Sequence, residues 1–174
     1  MISVSVQDLC LRYFAPNRWE FGHEHPIYVI RDKDTVFYVG CSTNPIGRFY
    51  DHMQVSNYSP VGKFIRLHLP WSLAWQVEFL TLDDCRELTE RYIERYPMSA
   101  LVMLYHYNDA AERALIAHHR PCLNVAYNDE SSPLPRKYWQ YSLPLTAVAD
   151  GASNCELSDL MRLEPPTADT PQES

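Results

Sequence analysis

Two short β-rich runs, Pro26 to Arg31 (PIYVIR) and Val36 to Cys41 (VFYVGC), are separated only by the polar stretch around Asp32-Lys33-Asp34-Thr35. A connection of that length between apolar runs makes a β-hairpin, which fixes two antiparallel strands and their register early. Each strand carries a tyrosine, Tyr28 and Tyr38. Gly40 and Ser42-Thr43-Asn44 then break the second strand, and Thr43 or Asn44 ahead of Pro45 starts a helix. The helix, Ile46 to Met53, puts Arg48 and His52 at i and i+4, on one face.

The remaining elements follow from periodicity and breakers. A short helix is expected from Val6 to Tyr13, and a second amphipathic helix from Pro60 to Leu69, stopped by Pro70. Ala74 to Leu82 (AWQVEFLTL) alternates apolar and polar residues and gives a third strand. Asp83-Asp84 caps a helix running to Tyr96, and Asn108 or Asp109 caps another from Ala110 to His119. Ser99 to Tyr107 fits a strand or a helix. The expected fold class is α/β (α+β): a small, mixed but mostly antiparallel three-stranded sheet flanked by helices. Residues 1–25 form an N-terminal helix and approach segment, and 26–127 the folded domain. Residues 128–174 form an acidic, Pro/Ser-rich tail whose composition is too polar to offset its ordering entropy. Two islands in that tail, Tyr138 to Tyr141 and Leu157 to Leu163, are expected to dock.

Several function classes are excluded. No run of eighteen apolar residues is present, so no membrane association is expected, and the start lacks the pattern of a signal peptide. Five cysteines stand far apart with no C-x-x-C pair, which argues for free thiols in a cytoplasmic protein and against a structural zinc. The net charge of −7 is unusual for a phosphate-binding protein. Most of it resides after Asn128, where 3 basic residues face 8 acidic ones. The domain itself is close to neutral and can hold nucleic acid through a local cluster, though not through bulk charge.

Phosphodiester hydrolysis needs an activated water, neutralisation of phosphoryl charge and help for the departing oxygen. Tyr28, Tyr38, Arg48, His52 and Glu112 contain that set: proton carriers, a phosphate ligand and a carboxylate suited to Mg²⁺. Taken singly, each has a plainer use. Hairpin tyrosines pack across strands, Arg48 and His52 suit a solvated helix face, Glu112 suits a helix N-terminus and Asn124 a turn. Lys63 and Arg66 suit either a DNA backbone or a solvated face. Trp71 and Trp75 are expected in the core, and His23 and His25 on an exposed approach.

In order along the chain, Pro26-Ile27-Tyr28, Tyr38-Val39-Gly40, Arg48 with His52, and Glu112 through Pro121-Cys122-Leu123-Asn124 resemble the GIY-YIG nuclease family. The resemblance spans roughly Pro26 to Val125. The spacing from Glu112 to Asn124 is similar to that of the N-terminal nuclease domain of bacterial excision-repair endonucleases. Pro26 departs from the pattern, standing where the motif has its first glycine, and the segment from Cys85 to Tyr105 is longer than the family minimum.

What the resemblance implies is a metal-dependent DNA endonuclease. Glu112 would bind one Mg²⁺ (or Mn²⁺), and Tyr28 would act as general base on the attacking water. Tyr38 would hydrogen-bond near the phosphate, Arg48 would neutralise it, His52 would assist proton movement and Asn124 would orient the site. Lys63 and Arg66 are the candidate DNA contacts. The expected setting is bacterial or phage repair, recombination or restriction. The family's usual second DNA-binding domain is missing, so a homodimer or a targeting partner is expected to supply the added contact. The alternative is a catalytically inactive adaptor that keeps the fold and binds nucleic acid or protein.

Overall fold

A computed structural model describes residues 1–13, 23–96 and 100–141, with the backbone alone for 100–105 and 140–141. The sheet has four strands rather than three: β1 (Ile2–Ser5), β2 (Ile27–Asp32), β3 (Thr35–Cys41) and β4 (Gln76–Leu80). Their order is β1-β4-β2-β3, and every adjacent pair is antiparallel. The missed strand is β1. Its four residues, ISVS, alternate but are too few to stand out, and they form a strand by pairing Ile2 to Phe79 and Val4 to Val77 on β4. The opening residues thus belong to the sheet.

Ser5 ends β1 and caps α1 (Val6–Arg12) by accepting from the Asp8 N–H. Asn44 caps α2 (Pro45–Met53) by accepting from the Gly47 N–H, with Pro45 in the first helical turn. α3 (Pro60–Leu67) follows, and a 3₁₀ turn (Trp71–Ala74) leads into β4. α4 (Leu82–Arg95) opens on a capping box between Thr81 and Asp84, so the cap is Thr81 and not the Asp83-Asp84 pair expected from sequence. The described part of the ambiguous stretch, from Ala100, lies in a helix. α5 runs from Ala100 to His119 and breaks at His106 (φ −127°, ψ 20°), just before the expected start at Asn108 or Asp109.

The sheet is covered on both faces. Tyr28, Ile30, Val77 and Phe79 face α1, α2 and α3, packing with Leu9, Phe49, Met53 and Ile65. Ile27, Val29, Val39 and Leu80 face α4 and α5, packing with Cys85, Ala111, Leu115 and Ile116. One irregularity interrupts the ladder. The β2–β3 register shifts between Ile30 and Arg31, leaving Phe37 as the extra residue of a β-bulge. As a result Phe37 and Tyr38, though adjacent, both join the cluster beneath α2 and α3. Phe37 fills the core while Tyr38 remains half-buried beside Tyr28.

The packed unit extends past Asn128. A second 3₁₀ turn (Arg136–Tyr141) buries Tyr138 among Phe37, Phe64, His68 and Trp75. Its hydroxyl donates to Asp32 Oδ2 at 2.6 Å, and the buried His68 ring reaches the carbonyls of Phe64 and Tyr138. Tyr138 therefore docks as expected, while Leu157 to Leu163 lie outside the described residues. Trp75 is core, but Trp71 is exposed. His25, expected on an exposed approach, is buried. No helix among the described residues is long and apolar enough to cross a membrane.

Removing the Tyr138 ring leaves a cavity in the larger cluster and takes one of the two donors from Asp32 Oδ2, which keeps Lys137. Tyr138→Ala is expected to destabilise the fold by about 3 kcal/mol, read as a lower urea midpoint with an unchanged slope. A midpoint within error of wild type would mean that the 3₁₀ turn does not dock in solution.

Candidate active site

The hairpin and α2 bring three predicted residues together. Tyr28 on β2 is buried, and its Oη lies 2.9 Å from Nε2 of His52 on α2. The Tyr38 ring lies 5.9 Å from that of Tyr28 and 5.4 Å from that of His52, centroid to centroid. Tyr28 stands directly opposite Gly40 in the ladder. A Cβ at Gly40 would come within 2.5 Å of the Tyr28 ring and hydroxyl, so only glycine lets that ring lie flat across β3. The glycine of the second motif thus serves as the floor beneath the first motif's tyrosine.

His52 is fixed from its other side as well. Its Nδ1 lies 2.6 Å from Ser59 Oγ. Ser59 precedes α3 in the N-cap position yet makes no side-chain capping bond, because its hydroxyl is committed to the imidazole. α3 approaches α2 closely: a Cβ at Gly62 would fall 1.7 Å from the His52 carbonyl oxygen. Arg66, expected at a DNA backbone, is engaged here instead. Its Nη1 donates to the His52 and Met53 carbonyls at the end of α2. Ser59 and Gly62 were not singled out in the sequence, since Ser-Pro before a helix reads as an ordinary cap.

Arg48, one turn before His52, is exposed and makes no hydrogen bond or ion pair with another described residue. It lines an open cleft of about 710 Å³ with Tyr38, His52, Tyr58 and Ser59. Lys63 stands near this rim, its Nζ 4.9 Å from the centre of the exposed Tyr58 ring. Glu112 comes from α5, on the other side of the sheet. It accepts from the Cys41 backbone N–H at the end of β3, close enough for its charge to act on both tyrosines. Asn124 lies away from these atoms. Its Oδ1 accepts from the Val39 N–H at 2.9 Å and its Nδ2 donates to the Val39 carbonyl at 2.8 Å, so it braces β3 between Tyr38 and Gly40. It is a positioning residue.

Pro26 causes no conflict. Its carbonyl accepts from the Ser42 N–H at 2.8 Å as the last ladder bond before β2, and no glycine among the described residues has a positive φ. Proline loses nothing at a strand start whose own N–H is unused.

The electrostatics follow from burial. Desolvation pushes the Tyr28 phenol far above its ordinary range, with the neighbouring Tyr38 adding to the effect. Tyr38 moves up for the same first reason. His52 is pushed down to about 4 by burial and then by Arg48. At neutral pH the pair is therefore an uncharged phenol and an uncharged imidazole. With the ring proton on Nδ1, His52 donates to Ser59 Oγ and accepts from the Tyr28 O–H, the tautomer that suits a phenol still holding its proton. The Glu112 carboxyl is raised by burial and by Asp109 one turn earlier. A cation beside it would reverse that shift. Among the described residues no group of three His, Cys, Asp or Glu converges. A lone carboxylate such as Glu112 could hold only an ion that keeps most of its waters, as Mg²⁺ does on one or two carboxylates.

The chain matches no protein-family model, no curated protein and no solved structure.

His52 makes a pH signature. Above about pH 6.5 the ring is neutral in both folded and unfolded chains and adds no pH dependence. Between 6.5 and about 4 the unfolded chain takes up a proton that the folded chain refuses, so stability falls as the pH drops through that window. The His52 ring resonances are expected to hold their neutral positions down to about pH 4 in an NMR titration. His52→Gln should remove its share of the acid slope. A ring titrating near 6.5 would show that it is not held against Tyr28 and Ser59.

Proposed function

We propose that the protein is a metal-dependent DNA endonuclease of the GIY-YIG type, hydrolysing phosphodiester bonds in bacterial or phage DNA processing. One observation carries the reading: a buried Tyr28–His52 pair lies within electrostatic reach of the uncommitted Arg48 guanidinium and of the desolvated Glu112 carboxyl. Packing alone has no use for a bare guanidinium and a shielded carboxylate around two neutral proton carriers.

In the proposed reaction a water oxygen forms a bond to phosphorus as the bond to a deoxyribose oxygen breaks, and that departing oxygen takes a proton from solvent in the open cleft to become a hydroxyl. The water's proton passes to the Tyr28 oxygen while the phenol's own proton moves to His52 Nε2. Burial keeps Tyr28 protonated, so it cannot serve as a base alone; the relay gives the proton a destination, and a phosphate neutralising Arg48 would relieve the second of the two causes that hold His52 down. Arg48 offers two parallel N–H donors to the phosphoryl oxygens. Tyr38 lines the same cleft and orients water or phosphate. Mg²⁺ or Mn²⁺ at Glu112 would supply charge stabilisation for the phosphoryl and departing oxygens. Lys63 is the remaining candidate for the DNA backbone on this side. No covalent enzyme intermediate forms.

The test is cleavage of supercoiled plasmid with Mg²⁺ or Mn²⁺. Wild type is expected to nick or linearise it, and Glu112→Ala and Arg48→Ala to lose at least about 100-fold in rate with unchanged circular dichroism. Tyr28→Phe keeps the ring over Gly40 and removes the relay, so it should lose activity while still folding, at a stability cost of about 1–3 kcal/mol for the unpaired His52 nitrogen. Metal-dependent cleavage that survives Glu112→Ala would sink the assignment. Nucleic-acid binding without cleavage of plasmid or branched DNA would favour the adaptor.

A further inference from the structure

α4, α5 and the loop after α5 enclose a second concavity of about 520 Å³, which none of the residues above explains. Three arginines line it, Arg95 on α4, Arg113 on α5 and Arg120 just past the end of α5, together with Tyr92, Tyr96 and Tyr127. The residues are paired as cations over rings. Arg113 lies 4.0 Å from the centre of the Tyr127 ring, and Arg95 lies 5.5 Å from that of Tyr96. Tyr96, which also packs on Tyr92, and Tyr127 are both at least half exposed, so each ring presents surface to solvent.

Two further observations set this concavity apart from a decorated surface. The Nε of Arg113 is shielded from solvent and has no hydrogen-bond partner. A buried donor of that kind costs about 1–3 kcal/mol until an acceptor arrives. The backbone is also strained here. Three non-glycine residues among those described have positive φ, and two of them, Arg120 (φ 49°) and Tyr127 (φ 60°), line this concavity. Arg120 occupies the position after a helix where glycine is the easy choice, and its N–H bonds to the Ile116 carbonyl. Left-handed backbone at bulky residues persists where the side chain's placement is worth the cost.

We infer that this concavity is a second nucleic-acid site, taking the phosphate and the unstacked base of an unpaired strand. Arginines supply donors for phosphate oxygens, and the Arg–Tyr pairs supply flat platforms that accept any base. A duplex keeps its bases stacked and could use only the charges. The loop already shows the mode of binding in miniature: Tyr127 stacks on Arg113 as a base would, and the Glu130 carboxylate sits 3.0 Å from Arg120 Nη2 as a phosphate would. That ion pair is exposed on both sides and is weak enough for a phosphate to displace. Asp129 lines the same rim and sets a limit on affinity at low charge. Arg113 directly follows Glu112 in sequence and its charge acts on the Glu112 carboxyl. The choice of ligand rests on the nuclease reading. The pocket would hold the single-stranded arm of a flap or overhang.

Fluorescence anisotropy in EDTA, with a labelled 12-mer single strand and the matching duplex, separates binding from cleavage. Arg113→Lys, which keeps the charge and loses the plane, and the exposed pair Arg95→Ala with Arg120→Ala should each weaken single-strand binding at least tenfold. Duplex binding should weaken by less than about threefold. For the pair, the salt dependence should flatten by about 1.4 in log–log slope, two contacts at about 0.7 each. Glu130→Gln should tighten single-strand binding, and Arg91→Ala, on α4 outside the concavity, should leave it unchanged. Wild-type single-strand affinity in all the arginine variants overturns the site, as does an equal loss for strand and duplex. A wild-type chain that binds the strand through these residues but cleaves nothing keeps the site and removes the nuclease. A chain that cleaves plasmid while the variants bind normally does the reverse.

Discussion

The hydroxyl of Tyr28 meets the imidazole of His52 only because three approaches coincide. Gly40 clears the floor of the sheet, Gly62 lets α3 close onto the end of α2, and Ser59 turns its hydroxyl from the helix it precedes to the far side of the ring. Remove any of these and the pair drifts apart. The same contact ties β2 to α2, and through Phe49 and Met53 it ties the hairpin to the largest core cluster. Burial then makes the pair chemically useful, since the shielding that excludes water also keeps the phenol protonated and the imidazole neutral. Stability and proton chemistry arise from one piece of packing.

Placement of the carboxylate obeys a different logic. Tyr28, Tyr38 and His52 share one face of the sheet, whereas Glu112 belongs to the helices on the other. They meet at the end of β3, where the ladder stops and the Cys41 N–H is left for Glu112. Ordinary alternation sets this geometry: Tyr28 pairs with Gly40 and Tyr38 with Ile30, so both tyrosines share a face, and the bulge beyond them adds Phe37 to that face.

The hairpin, α2 with its Asn44 cap, α3 and β4 were legible because each rests on local periodicity and a breaker. β1 was not, because four residues of mixed polarity become a strand only through the partner that β4 offers. The start of α5 was misplaced for a related reason: polar residues near Asn108 read as a cap, yet the helix begins earlier and breaks at His106. Among the residues singled out in the sequence, Tyr28 bonds His52, while Tyr38, Arg48 and His52 line one cleft. The work of Gly40, Gly62 and Ser59 depends on distances between segments remote in sequence. Arg66 illustrates the converse, a basic residue on a plausible face whose donors are taken by backbone carbonyls.

Asn124 has a consequence beyond bracing the site. β3 is an outer strand, and its free side would ordinarily offer a row of unpaired N–H and C=O groups to another chain. Leu123 donates to the Phe37 carbonyl, and the Asn124 side chain occupies both polar groups of Val39, imitating a fifth strand with a few atoms. The margin beside Tyr38 is thereby closed to sheet extension, leaving Ile2–Ser5 at the opposite margin as the edge through which sheets of two copies could join. Any assembly built by strand addition would grow away from the cleft and leave its mouth open.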